Sequence, residues 1–426
     1  MTQSQHSVAT ARAPDRRALT LFMLVLVYTF NFIDRQIVGI LAVPIKADLG
    51  LTDAQLGLMG GLAFALFYTG LGIPVAMLAD RTSRTWIITV ALALWSAMTA
   101  ACGLAQNFWQ LFLARLGVGV GEAGGVTPAY SLLMDYYPPG QRARALSVYS
   151  FGIPIGSALG IVFGGVIASL IDWRFAFFAV GLAGIVLAPV FRLVVREPTR
   201  GAYDPPREPH AAPGIGAILR TLAGKPSFWF ISLAASCSSM MGYGLFFWLP
   251  SFFVRSYGLT LLDASLFYGA ILLVGGLAGI WAGGWLGDRF GAEQRSRHVT
   301  IPALAFLGTV PFYLLGILSP NLTLTFFVLL VPTALGLAWL GPVISAVQQI
   351  VPPDMRATAS AVFLFVNNLI GIGVGTWAIG ALSDWLRAGY GDEALRYSIL
   401  AGTGFYVLAA LLFFLAGRRL DQDWET

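Results

Sequence analysis

The sequence predicts an all-α polytopic membrane protein with twelve transmembrane helices in two six-helix halves. Of its 426 residues, 57% are hydrophobic and only 11% are charged, and the mean hydropathy is +0.75. A soluble domain carries about 25% charged residues, so this composition indicates a chain that lies largely in lipid. Two further observations support the architecture. Twelve apolar stretches occur along the chain, and motifs of the first half recur in the second.

Each apolar stretch is long enough to cross a bilayer as a helix. The predicted limits are 18–43, 54–79, 86–105, 108–136, 144–171, 175–195, 227–254, 263–287, 298–318, 322–350, 358–385 and 396–416. A polar, proline-rich segment separates the sixth stretch from the seventh and predicts a linker. The predicted units are therefore 1–195, the linker 196–225, and 226–426. No small-residue cleavage site follows the first stretch, which predicts that it is retained as an anchor.

Arginine and lysine residues are concentrated on the side of the predicted helices that carries both termini. The positive-inside rule therefore predicts cytoplasmic termini and a cytoplasmic linker. The same distribution accounts for the pI of about 9.3, so no nucleic-acid partner is expected. The predicted location is a multi-pass position in the plasma membrane, which is the inner membrane if the source is bacterial.

Four charged residues are predicted to lie within the membrane, all in the first half. Asp34 and Arg35 lie in the first stretch; Arg115 and Glu122 lie in the fourth, seven residues apart and on one helix face. A charge near the bilayer centre costs about 2.5–3.5 kcal/mol on insertion scales, so such residues usually have a function. We interpret Asp34 and Glu122 as candidate proton carriers and Arg115 as the residue that meets an anionic group. The alternative is a static ion pair that joins the first and fourth helices.

Polar and aromatic residues are expected to line the rest of a central cavity. Tyr28, Asn31 and Arg35 lie along one strip of the first helix, although Asn31 equally fits a helix–helix hydrogen bond. The second half has no charge in the middle of any span. Its candidate cavity residues are Ser239, Tyr243, Phe247, Asn367 and Asn368. This asymmetry suits an amphipathic substrate with its headgroup near Arg115 and its tail against the second half.

The loop after the second stretch, AMLADRTSRT, resembles the G-x-L-A-D-R-x-G-R-K signature of the major facilitator superfamily, although alanine and serine replace its glycines. A second copy, GGWLGDRFG, follows the eighth stretch. YPPGQRARA before the fifth stretch also recurs as VPPDMRATA before the eleventh, as in transporters built from repeats. The resemblance implies the superfamily fold, alternating access and a cytoplasmic gate, for which ordinary surface charges are the alternative. The gate residues would be Asp80, Arg81, Arg84, Asp288 and Arg289.

Two segments resemble the Spinster branch of that superfamily. They are NFIDRQIVGILAVPIKADLGLT in the first stretch and RLGVGVGEAG in the fourth. Spinster-like proteins are proton-linked transporters of lysophospholipids or sphingolipid phosphates, so the resemblance implies proton-linked transport, with export, of an anionic amphipathic lipid. The same charged patterns also occur in symporters of sugar acids. Proton symport of a small organic anion such as a sugar acid is therefore the alternative.

Neither an enzyme nor a metal or cofactor site is expected. His6 and His210 lie outside the predicted spans and His298 lies at the edge of one, the two cysteines lie in separate spans, and no nucleophile constellation is present. GVGEAG matches a nucleotide-binding pattern only formally, because it lies within an apolar helix. A non-transporting sensor is disfavoured because the membrane charges and gate motifs are present. The expected partners are protons, the bilayer and a small-molecule or lipid substrate, and the expected state is a monomer.

Overall fold

The computed structural model describes residues 16–201, 203, 215–290, 295–336, 339–352 and 355–424. These residues form eighteen α-helices and one short 3-10 turn, Gly391–Glu393. The helices are α1 (Arg17–Leu49), α2 (Asp53–Gly60), α3 (Leu62–Arg81), α4 (Arg84–Cys102), α5 (Phe108–Glu122), α6 (Val126–Tyr136), α7 (Pro139–Ser150), α8 (Gly152–Leu170), α9 (Trp173–Val194), α10 (Ile215–Ala223), α11 (Pro226–Tyr257), α12 (Leu261–Phe290), α13 (Arg297–Leu318), α14 (Leu322–Leu335), α15 (Leu340–Gln349), α16 (Arg356–Tyr390), α17 (Ala394–Gly402) and α18 (Gly404–Asp423).

The helices make up the twelve predicted spans, and the predicted fold class is confirmed. Seven spans are single helices, whereas five consist of two helices each: α2–α3, α5–α6, α7–α8, α14–α15 and α17–α18. By length and hydropathy alone, nine stretches of the described residues qualify as membrane spans, and one of them merges the last two spans. The fourth and tenth spans do not qualify because breaks divide them into shorter helices.

The break between α2 and α3 lies where the two halves approach each other closely. A Cβ atom at Gly61 would lie 2.5 Å from the carbonyl oxygen of Ile372 on α16. At Gly57, one turn earlier, it would lie 2.5 Å from the Thr376 carbonyl oxygen. Only glycine allows backbones to pack at this distance. The second span therefore packs tightly against α16 across the interface between the halves.

The two membrane faces can be defined from the direction of the helices. Helix α1 begins at Arg17 on the face where α18 also ends, which we call the terminal face, and α1 ends at Leu49 on the opposite, distal face. On the terminal face, the Tyr137 hydroxyl donates to the Arg17 carbonyl oxygen at 3.1 Å. The Lys225 ammonium donates to the Asp423 carbonyl oxygen at 2.8 Å. Each contact joins the start of one half to another segment of the same half, and the even number of spans in each half puts both starts on one face.

Part of the predicted linker is helical. Helix α10 buries Ile218 and Leu222, and the Trp229 indole on α11 donates to the Leu222 carbonyl oxygen at 3.1 Å. The end of the linker is therefore packed against the second half. Residues 202 and 204–214 lie outside the described part of the chain, and the boundaries 196–225 stay a prediction.

The beginning of the linker is attached to the first half by the buried residue Arg84. Its Nε donates to Glu197 Oε1 at 2.7 Å, and its Nη1 donates to Asp135 Oδ2 at 2.5 Å and to the Ser131 carbonyl oxygen at 3.1 Å. Partial burial raises the pKa of Glu197, but hydrogen bonds from the Thr85 backbone N–H and from Arg84 outweigh burial and hold that pKa below its usual value. The ionised carboxylate thus stabilises the fold.

A five-residue cluster joins the halves at the distal face. Arg255 of α11 donates two hydrogen bonds, of 2.7 and 2.8 Å, to the buried carboxylate of Asp53 on α2. Lys46 of α1 and Ser383 of α16 donate to the same carboxylate. Asp384 of α16 accepts from the first two backbone N–H groups of α2, at 3.1 and 2.7 Å. We call these residues the distal clasp, and their contacts hold the distal face closed.

We expect Glu197→Gln to destabilise the protein by about 1 kcal/mol at pH 7, because Arg84 loses a charged partner. Since the folded-state pKa is lowered, this stability is present above the usual value of about 4.5 and is lost as the pH falls through the lowered pKa. Thermal unfolding in detergent from pH 7 to pH 3 should show the variant and wild type converging in acid. The control is Glu393→Gln, whose exposed pair with Arg396 spans one helical turn. An equal loss of stability at every pH would contradict the role assigned to the ionised Glu197 carboxylate.

We expect Arg255→Gln to open the distal face, because the lost charged hydrogen bonds hold only the closed arrangement. A pair worth about 1.5 kcal/mol shifts such an equilibrium roughly tenfold. Distances between spin labels at Leu104 and Ala388, both exposed on the distal face, should lengthen in a variant without the native cysteines. The control is Arg174→Gln, which breaks a distal-face pair with Asp48 inside the first half. Equal distance distributions in Arg255→Gln and Arg174→Gln would show that the clasp does not hold the distal face closed.

Candidate functional site

The four membrane charges form two ion pairs that cross between α1 and α5. Arg35 Nε lies 2.8 Å from Glu122 Oε2, and Arg115 Nη1 lies 3.1 Å from Asp34 Oδ1. Each helix contributes one acid and one base, so the cluster has no net charge. Glu122, Asp34 and Arg115 are at most 1% exposed, whereas the Arg35 side chain is 11% exposed. The structure thus pairs each acid with the arginine of the other helix.

The ion pairs do not use all the hydrogen-bonding capacity of the cluster. Glu122 Oε1, Arg35 Nη2 and Arg115 Nε are buried and have no hydrogen-bond partner among the described residues. An unsatisfied buried polar group costs about 1–3 kcal/mol, and more if it is charged. Glu122 and both arginines thus keep hydrogen-bonding capacity that no described residue uses.

Three aromatic rings surround the Arg35 guanidinium. Its central carbon lies 5.0 Å from the ring centroid of Phe32, 4.7 Å from that of Phe64 and 4.6 Å from that of Tyr68. Cation–π contacts contribute about 0.5–2 kcal/mol, the larger values where water is excluded. The cage therefore supports the Arg35 charge even when Glu122 is neutral. Phe64 and Tyr68 were not predicted from the sequence, although their one-turn spacing in an otherwise apolar span is a weak signal.

Asp34 has two described partners, and one of them was not predicted from the sequence. Besides Arg115, the hydroxyl of Thr99 on α4 lies 2.5 Å from Asp34 Oδ2. Both carboxylate oxygens of Asp34 are thus hydrogen-bonded, whereas one oxygen of Glu122 has no hydrogen-bond partner in the described part of the chain. The two acids are therefore unequal in their surroundings.

Tyr28 and Asn31 lie inside the first half. Tyr28 stacks on Tyr149 with ring centroids 4.3 Å apart, and both residues line a cavity of about 10 Å³ with Asn31 and Trp95. Asn31 is buried, and neither amide atom has a hydrogen-bond partner among the described residues. Asn31 therefore makes no helix–helix hydrogen bond with a described residue. Neither Tyr28 nor Asn31 lines the cavity between the halves.

The cavity between the halves brings the arginines close to aromatic residues of α11. Arg35 and Arg115 line it together with Tyr243 and Phe247. Its volume is about 30 Å³. The other lining residues are Phe32, Gln36, Gly60, Phe64, Phe246, Ile372 and Thr376.

The remaining polar candidates of the second half contact one another. The Ser239 hydroxyl donates to Asn367 Oδ1 at 2.9 Å, and Asn367 Nδ2 donates to Asn368 Oδ1 at 3.4 Å. Ser239, Asn367 and Asn368 are not among the described residues that line the cavity between the halves. Their hydrogen bonds join α11 to α16 and leave few groups for a substrate in this conformation.

The predicted gate lies partly outside the described residues. The side chains of Asp80, Asp288 and Arg289 belong to that part. Arg81 is exposed on the terminal face, whereas Arg84 is buried and braces the first half. The gate therefore stays a prediction. No group of three or more potential metal ligands is present in the described parts of the chain.

The proteins to which this chain is similar agree with a membrane-transporter architecture. Residues 24–376 match the profile of the Major Facilitator Superfamily. The chain is 33% identical to an MFS-type efflux pump of Mycolicibacterium smegmatis, covering 97% of this chain and 96% of the relative. It is 30% identical to human Protein spinster homolog 1, covering 97% and 84%, respectively.

Solved structures similar to this chain belong to the same kind of transporter. A crystal structure of a bacterial homolog of the human lysosomal transporter Spinster, inward-facing and unoccupied, matches with 33% identity and a TM-score of 0.87, covering 97% of this chain and 99% of that one. The inward-facing, occupied form matches with a TM-score of 0.82. A D-xylose-proton symporter, 15% identical with a TM-score of 0.67, shares the fold alone. The family and these relatives are transporters, not enzymes, and the chain belongs to the Major Facilitator Superfamily as a Spinster-like membrane transporter.

Proposed function

We propose that the protein is a proton-linked transporter of an amphipathic anionic lipid, of the lysophospholipid or sphingolipid phosphate class, and that it works by alternating access and exports this lipid. The observation that supports the proposal is the two crossed, incompletely satisfied ion pairs of the first half, whose arginines line the cavity between the halves. A charge cluster of this kind can exchange its internal partners for a proton and an anion.

Charge balance links the proton to the headgroup. When Glu122 takes up a proton, Arg35 loses its anionic partner but keeps its aromatic cage. An anionic headgroup can then pair with Arg35, and the cluster again has no net charge. A proton on Asp34 frees Arg115 in the same way. Proton and headgroup therefore favour each other's binding, since either one alone leaves an uncompensated charge in a medium of low dielectric.

This cooperativity constrains the direction of transport. A proton and a lipid that bind together cross together, and net movement follows the sum of their two gradients. The similarity to an efflux pump supports export. Export then requires a lipid gradient that exceeds any opposing proton gradient. Protonation and binding act by shifting a population between two conformations.

The second half favours a lipid over a sugar acid. Its contribution to the cavity is largely aromatic and apolar, from Tyr243, Phe246, Phe247 and Ile372. A sugar acid needs several polar partners around its hydroxyls. The polar side chains of α11 and α16 instead hydrogen-bond one another. An alkyl chain needs only the apolar wall.

The position of the gates supports alternating access. The clasp closes the distal face, in keeping with the similarity to inward-facing structures, and the positive-inside rule makes the terminal face cytoplasmic. We propose Arg81, with Asp80, Asp288 and Arg289, as the gate that closes the terminal face in the opposite state. Transport then alternates between release of the clasp and release of this gate.

We expect Glu122→Gln or Asp34→Asn to abolish proton-linked transport, with a loss of at least about tenfold, while folding is unchanged. The amide cannot take up a proton at physiological pH, so protonation no longer releases the arginine that pairs with this residue. Transport of a radiolabelled lysophospholipid into proteoliposomes should be measured with and without a pH gradient. The control is Asp48→Asn, an exposed distal carboxylate. A wild-type response to the pH gradient in either variant would reject that residue as a carrier.

We expect saturable binding of a lysophospholipid and none of an aldonate or uronate. The test is scintillation proximity binding to the purified protein with both ligand classes at pH 5.5 and pH 7.5. Lipid binding should strengthen at the lower pH, because protonation frees the arginines, and Phe247→Ser should weaken it about tenfold by removing apolar contact. Saturable binding of the sugar acid, with none of the lipid, would assign the protein to the class of organic-anion symporters.

A further inference from the structure

The Thr99 hydroxyl lies between two acceptors. Its Oγ1 is 2.5 Å from Asp34 Oδ2 and 2.9 Å from the carbonyl oxygen of Trp95, one turn earlier on α4. Thr99 is 1% exposed, so water does not compete freely for the hydroxyl. A hydroxyl group carries one proton and two lone pairs, so it donates to only one of these acceptors at a time.

The two choices correspond to the two protonation states of Asp34. When Asp34 is ionised, Thr99 donates to the carboxylate. When Asp34 is protonated, its O–H donates to Thr99 Oγ1, and Thr99 donates to the Trp95 carbonyl oxygen. That carbonyl also accepts the helical N–H of Thr99 in both states, so neither choice leaves it unpaired. Asp34 exchanges its proton with the aqueous phase, and Thr99 only rotates its own.

Arg115, the other described hydrogen-bond partner of Asp34, cannot replace Thr99 in the second state. It contacts Oδ1, and an arginine has no acceptor atom. Arg35, Glu122 and Cys102 are close enough to interact electrostatically with the carboxyl group. Of the two described hydrogen-bond partners of Asp34, only Thr99 can therefore accept its proton in a hydrogen bond.

We propose that Thr99 is a positioning residue for proton binding at Asp34, donating to the ionised carboxylate and accepting from the protonated one. This inference rests on the proposed proton-linked function. It adds a residue of α4 to a cluster of charged residues that α1 and α5 supply. The residue supports both states and thereby keeps the carboxyl group in place while the charge changes.

The sign of the effect follows from the strengths of the two hydrogen bonds. A bond to a carboxylate is about twice as strong as one between neutral groups. Removing the hydroxyl therefore destabilises the ionised form more than the protonated form. Asp34 should then take up its proton at a pH higher by on the order of one unit.

The test is infrared difference spectroscopy on the full-length protein in liposomes without substrate, titrated through pH. The carboxylic acid C=O band that Asp34→Asn removes reports protonation of Asp34. In Thr99→Val, the midpoint of this band should rise by on the order of one pH unit, and its frequency should increase because the acid loses its acceptor. Thr99→Ser should restore both values. Thr99→Ala carries the same expectation as Thr99→Val if the latter does not fold.

The matched control is Thr89→Val, because Thr89 is buried on the same helix and bonds the Thr85 carbonyl oxygen but does not contact Asp34. It should leave the band unchanged. An unchanged midpoint in Thr99→Val overturns the inference, as does a failure of Thr99→Ser to restore it. If Asp34→Asn removes no band, Asp34 binds no proton and the inference is overturned, whereas the proposed function can still act through Glu122, which the transport assay tests separately.

Discussion

The two ion pairs between α1 and α5 are the constraint on which the rest of the site depends. Four charges near the centre of the membrane are tolerable only because each acid meets the arginine of the other helix. Shifting α1 along α5 by one turn would separate both pairs at once. The relative position of these helices is therefore tied to the charge state of two carboxyl groups. A proton changes that charge state by one unit without any other ligand, which makes the cluster a suitable switch.

The switch is connected to the distal clasp through continuous helices. Helix α1 carries Arg35 and, three turns later, Lys46 of the clasp; α11 carries Phe247 of the cavity and, two turns later, Arg255. Both helices continue between these points, but each contains one proline there, Pro44 in α1 and Pro250 in α11. Because proline removes a backbone hydrogen bond of the helix, each helix has a defined point of bending between the cluster and the clasp. Two of the five divided spans also carry residues of these sites: Asp53 of the clasp lies on α2, and Glu122 of the cluster is the last residue of α5, at the break before α6. Gly61 lies at the break after α2, packed against α16.

The sequence allowed the twelve spans, the fold class and the membrane positions of the four charges to be predicted, because hydropathy and the cost of buried charge act locally. It did not reveal which acid pairs with which arginine, since pairing depends on the packing of two helices that are distant along the chain. Thr99 was missed because a threonine in an apolar helix usually bonds its own backbone. The family motif pointed to Arg84 as a gate residue, but its two carboxylate partners in this structure lie in the first half and its linker. A sequence motif identifies residue types, whereas the contacts of each residue are known only from the three-dimensional fold.

The inequality of the two acids implies an order of events. Both oxygens of Asp34 are hydrogen-bonded, so protonating it reverses the hydrogen bond with Thr99 and removes the charge that pairs with Arg115. Glu122 has one oxygen without a described protein partner, and its arginine is the more exposed of the pair. A proton can therefore be added to Glu122 with less rearrangement. Arg35 is then the first cation released to the cavity, ahead of Arg115, which the sequence had favoured as the headgroup partner. Under the proposed function, release of Arg35 adds positive charge beside the second ion pair, and an anionic headgroup then neutralises that charge. The headgroup thus binds after the proton on Glu122, at the cation that this proton releases.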